Sequence, residues 1–110
     1  MSLPYTIKKG ASGPPFQGHC KEPDGTYPNL TGATIKFRLR HENGTLLVND
    51  AAMTVVDLPT AEVKFDWNTA TPESTPAGRC RGEVEVVFSS GKKQVYPSRG
   101  HIEVFILERV

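Results

Sequence analysis

The sequence predicts an all-β domain built as an antiparallel sandwich of seven to eight short strands. Two observations carry that reading. Apolar and polar residues alternate with period two over short segments, which is the signature of half-buried strands. Glycine (10) and proline (9) interrupt the chain too often for long helices, and no window holds an apolar stripe at helical spacing over three turns. Turn signals recurring roughly every 8–12 residues suit a sandwich, with a small closed barrel as the alternative topology.

Taken in order, residues 1–15 read as an irregular N-terminal arm, in which Tyr5, Thr6 and Ile7 can form a short edge strand. Gly10 to Pro15 reads as a loop, since its prolines lack ladder donors. The sandwich domain is assigned to residues 16–110, starting with a strand at Phe16–Cys20 and a turn at Asp24-Gly25. The clearest strand is Ala33–His41, where Ile35, Phe37 and Leu39 alternate with Lys36, Arg38 and Arg40. Asn43-Gly44 then predicts a type I′ hairpin into Leu46–Val48.

Further strands are expected at Ala51–Asp57, at Glu62–Trp67 and at Gly78–Ser90, where Val84, Val86 and Phe88 point inward and Glu83, Glu85 and Val87 outward. Between the last two, Asn68 to Ala77 reads as a polar loop with Pro72 and Pro76. Gln94–Pro97 and His101–Arg109 close the domain. In the last strand Ile102, Val104 and Ile106 share one face, while Phe105 and Leu107 make the other face apolar as well. A strand apolar on both faces implies that something covers the second one.

Composition excludes several functions. One domain is the natural size for 110 residues. Thirteen cations against twelve anions give a net charge of +1, without the uncompensated basic face of a nucleic-acid binder. No apolar run approaches the roughly 20 residues of a membrane span. Lys8 and Lys9 lead into Gly, Ser and Pro rather than an apolar core, so no secretory leader is expected. Without one, Cys20 and Cys80 are expected as free thiols rather than a bridge.

The residues that carry chemistry do not converge. His19, Cys20, His41, Cys80 and His101 lack paired metal-ligand spacing, so no metal or other cofactor is expected. His41 beside a turn and His101 opening a strand read as solvated. Cys80 has the parity of Val84, Val86 and Phe88 and reads as a small core hydrophobe. Glu83 and Glu85, about 7 Å apart along one strand face, read as cross-strand partners of Arg38 and Arg40. There is no phosphate loop, no calcium loop and no catalytic residue to nominate.

An ordered set of motifs resembles a known family. Leu30-Thr31-Gly32-Ala33-Thr34-Ile35-Lys36-Phe37 resembles the signature of the N-terminal immunoglobulin-like domain of phage baseplate upper proteins and related small phage tail proteins. The turn at Asp24-Gly25-Thr26 precedes it, and Ala61 to Trp67 resembles a following strand. Thr71 to Gly78 with Glu83-Val84-Glu85-Val86, then Ser90-Gly91-Lys92 with Tyr96-Pro97, and finally His101 to Val104 complete the series. The chain departs from it at Ala61, where glycine is usual, at Cys80, where an aromatic is common, and at Ala70, where an acid precedes the threonine.

The resemblance implies an immunoglobulin-like sandwich, a non-enzymatic phage virion protein, and a location in the virion after synthesis in the bacterial cytoplasm. Its partners would be other tail or baseplate proteins or copies of itself, so a homo-oligomer is among the expected assemblies. A carbohydrate- or receptor-binding module of adhesin type is the alternative. The candidate interface is the apolar surface the core does not need: Phe105 and Leu107, Val87, and Tyr5 and Phe16 of the arm.

Overall fold

The computed structural model describes residues 5–11, 15–67, 77–97 and 102–108. Among the described residues, nine strands fall in two sheets. They are β1 (Tyr5–Lys8), β2 (Phe16–His19), β3 (Thr34–His41), β4 (Leu46–Ala52), β5 (Thr54–Asp57), β6 (Glu62–Phe65), β7 (Gly78–Val87), β8 (Lys93–Tyr96) and β9 (Ile102–Leu107). The larger sheet runs β1-β9-β7-β3-β4, and β8 extends it along the part of β7 that β9 leaves unpaired. The smaller sheet runs β2-β6-β5. The chain is thus an all-β sandwich, as its alternation predicts.

Phe37 joins the two layers. It projects from β3, stacks on Phe16 of β2 at 5.2 Å and lies tilted against Phe65 of β6 at 5.0 Å. Tyr5 and Trp67 extend the cluster edge-on to Phe16 and Phe65, and the Trp67 indole N–H donates to the Tyr5 hydroxyl at 2.8 Å. Around these rings the inward residues of the larger sheet, Ile35, Leu39, Val84, Val86, Val104 and Ile106, are buried. Alternation along β3 and β7 explains why: the apolar residues other than Val87 take the core face and the charged ones the solvent side. On β7 the core position beneath Phe37 is Gly82, because a Cβ there would lie 3.2 Å from the Phe37 ring.

Several expectations need correction. The segment 1–15 is more than an arm, since β1 pairs with β9, and that pairing is parallel rather than antiparallel. The chain leaves β1 for the other sheet, so no hairpin constrains its direction. The run Ala51–Asp57 is not one strand: Ala51 and Ala52 end β4, and the chain crosses at Met53 to enter the smaller sheet as β5. The turn after His41 is not type I′. Only Gly44 takes a positive φ (96°), the His41 carbonyl accepts from the Gly44 N–H, and the His41 N–H donates to Thr45. That is a three-residue loop closed by a left-handed glycine, one residue longer than the expected turn. The expected polar loop at 68–77 lies largely outside the described residues, as does His101.

Candidate functional site

The polar groups inside the sandwich are spoken for. His41 is buried, against the expectation that it is solvated; it shares the inward parity of Ile35, Phe37 and Leu39. Its Nδ1 accepts the Asn43 N–H at 3.0 Å, which leaves Nε2 to carry the proton and donate to the Ala77 carbonyl at 2.9 Å. The ring therefore ties the β3–β4 turn to the start of β7. The Tyr96 hydroxyl donates to Glu22 at 2.6 Å, and burial followed by that bond raises its pKa. Among the described residues no buried side-chain nitrogen or oxygen lacks a partner.

Both cysteines are free and buried. Cys20 lies close enough to Tyr96 to influence its titration, and Tyr96 sits opposite Val84. Cys80 is four residues back along β7, roughly 14 Å at strand rise. Burial, reinforced by Glu22 for Cys20 and by Glu42 for Cys80, pushes each thiol up to about 11, so neither presents a thiolate nucleophile near neutral pH. No group of three or more His, Cys, Asp or Glu able to hold a metal occurs among the described residues.

The solvent face of the larger sheet is different. Register sets its side chains in rows across the strands. One row reads Glu103 (β9), Arg81 (β7), Arg40 (β3), Leu46 (β4). The next reads Thr6 (β1), Phe105 (β9), Arg79 (β7). Leu107 follows beside Lys8. The Arg79 guanidinium lies 5.8 Å from the Phe105 ring centre and 3.8 Å from Glu103. Leu107 and Leu46 are exposed at 43% and 36%.

The expected cross-strand ion pairs do not close among the described residues. Arg38 does face Glu83 and Lys36 faces Glu85, but Arg38 closes its ion pair with Asp50 of β4 at 3.0 Å. Arg40 faces another arginine, Arg81. Asp50, with help from Glu85 and Glu83, shifts the Arg38 guanidinium above its ordinary range.

The five candidate interface residues separate. Phe105 and Leu107 stand two apart on the outer face, as alternation places them. Val87 is on the same face but eight residues from Arg79 along β7, roughly 27 Å away. There it sits opposite Lys93 of β8, with exposed Val95 on the diagonal. Phe16 is buried in the aromatic cluster and Tyr5 is half-buried beside it, so those two serve the core rather than a surface. Reading the sequence missed Arg40, Arg81 and Leu46 as neighbours of Phe105. Their outward parity was legible, but no local signal gives the register that lines them up.

No family model matches the chain, and no curated protein matches it. Among solved structures the fold is similar to CopC from Methylosinus trichosporium OB3b, at 17% identity and a TM-score of 0.48 over 99% of this chain and 88% of that one. At that level the likeness transfers nothing of CopC's own role. The virion function and virion location rested on the motif resemblance alone and are withdrawn, since no family model matches the chain. The adhesin-type alternative gains no support either.

Proposed function

We propose that this chain is a non-catalytic docking domain that holds a partner protein on the outer face of its larger sheet. The observation that carries the reading is the Phe105–Leu107 pair. The core of the last strand is already supplied by Val104 and Ile106, both essentially inaccessible to solvent. Phe105 and Leu107 add nothing to that core and present apolar surface on the opposite face. Exposed Leu107 and half-buried Phe105, ringed by Lys8, Arg79 and Glu103, match the anatomy of an interface with an apolar centre and polar rim.

A selection of random peptides against the folded protein tests this. Binders should converge on the outer face and lose about tenfold or more in affinity on Phe105→Ser/Leu107→Ser. They should be indifferent to Val56→Ser/Leu58→Ser, which alters the exposed apolar residues at the β5 end of the smaller sheet. Binders with the reverse sensitivity would move the docking surface to the other layer and overturn the reading.

A further inference from the structure

We propose that Arg40 and Arg81 form a carboxylate clamp for an acidic, extended segment of another protein, an inference that rests on the docking reading above. In an antiparallel pair, residues directly opposite have Cβ atoms about 5 Å apart, and like charges there are unfavourable. β3 and β7 satisfy this rule at Lys36–Glu85 and Arg38–Glu83, then break it one step further on at Arg40–Arg81.

The surroundings do not relieve the conflict. Arg40 donates through Nη1 to the Gly44 carbonyl at 2.8 Å, a neutral partner. Its row neighbour on the other side is Leu46. Arg81 has Glu103 beside it, but Glu103 is the carboxylate that pairs with Arg79. Among the described residues neither Arg40 nor Arg81 closes an ion pair. Among the described residues, the arginine row and the two rows toward Leu107 carry Arg40, Arg79, Arg81 and Lys8 against Glu103, with Glu83 one row further along β7. An incoming carboxylate between Arg40 and Arg81 would supply the missing negative charge, and guanidinium forks match carboxylate oxygens geometrically.

The flanks define the rest of the ligand. Leu46 lies at one end of the arginine row, Phe105 lies one row over and Leu107 two rows over. A segment with an acidic side chain at one position and apolar side chains two and four residues on presents both to this face, because residues i, i+2 and i+4 of an extended chain share one side. A nucleic acid fits less well, because a regular line of phosphates would run into Glu83, Glu85 and Glu103 on the same face.

The test uses the whole chain and three synthetic peptides of equal length, built on repeats of Glu-Ser-Leu-Ser, Gln-Ser-Leu-Ser and Lys-Ser-Leu-Ser (the Glu–Leu, Gln–Leu and Lys–Leu peptides), so that charge and leucine share one side. The Glu–Leu peptide should bind, weaken as salt rises, and shift the amide resonances of Arg40, Arg81 and Phe105. Arg40→Gln and Arg81→Gln should each reduce its affinity by about tenfold with the fold intact. The Lys–Leu peptide should not bind. A Gln–Leu peptide that binds the same face equally well would overturn the clamp while leaving the docking face standing. Failure of every peptide to perturb the face would overturn both. Tighter binding of single-stranded DNA than of the Glu–Leu peptide, or dimerisation lost on Arg40→Gln, would assign the arginines to a different occupant and overturn the proposal.

Discussion

Replacing Phe37 with alanine should destabilise the domain by about 3–5 kcal/mol, the usual range for removing a buried aromatic ring. Phe37 is 1% exposed and touches both layers, stacked on Phe16 and tilted against Phe65. Its loss removes the apolar transfer term and opens a cavity between two sheets whose backbones are held by their own ladders and cannot collapse inward. The two aromatic contacts also disappear, each contributing about 0.5–1.5 kcal/mol beyond area burial. Urea unfolding should show the midpoint fall with an unchanged slope. A loss below about 1 kcal/mol would mean that the two layers are not joined through this ring.

Gly82→Val should be the next most damaging change, at about 1–3 kcal/mol, by the opposite mechanism. A Cβ at position 82 lies 3.2 Å from Phe37 Cε1, 3.4 Å from its Cζ and 3.5 Å from the Ile102 Cβ. The branches of valine add further atoms to a site already tighter than ordinary contact. Because the clash is with Phe37, the two positions must be coupled. In a Phe37→Leu background the ring is gone, and Gly82→Val should lose less stability there than in the parent. A coupling of about 0.5 kcal/mol or more in the double-mutant cycle is expected, and strict additivity would contradict the contact.

These residues also show what the sequence makes legible. Alternation along β3 and β7 assigns Phe37 inward and Arg40 and Arg81 outward without a structure, because period two fixes the face of every residue in a strand. It likewise places Phe105 and Leu107 on the outer face. His41 carried the same signal, since it has the parity of Leu39, yet its chemistry and its place beside a turn suggested solvent. Phe16 was obscured by the prolines before it, which hide any alternation.

What alternation does not carry is register. Whether Arg40 faces Glu83 or Arg81 depends on how β3 slides against β7, and a shift of two residues preserves every face while changing every partner. The crossing at Met53 was hidden for a related reason. Ala51 to Asp57 is a continuous run of strand-forming composition, and the change of sheet within it follows from packing against β6 rather than from local preference. The candidate docking surface was therefore half visible: its apolar members from sequence, its charged members only from the folded sheet.

The account holds that the Arg40–Arg81 pair serves binding and contributes no stability. Thermal unfolding of Arg40→Glu, beside the parent at low salt, tests this most directly. The substitution places opposite charges across β3 and β7, an arrangement that contributes roughly 0.2–1 kcal/mol in such pairs. In exchange it removes the single exposed hydrogen bond to Gly44. The midpoint should stay level or rise by a few degrees, although the same change should abolish capture of the Glu–Leu peptide. A fall of several degrees would show that Arg40 is held in place for the fold, and would contradict the claim that this face is kept for a partner.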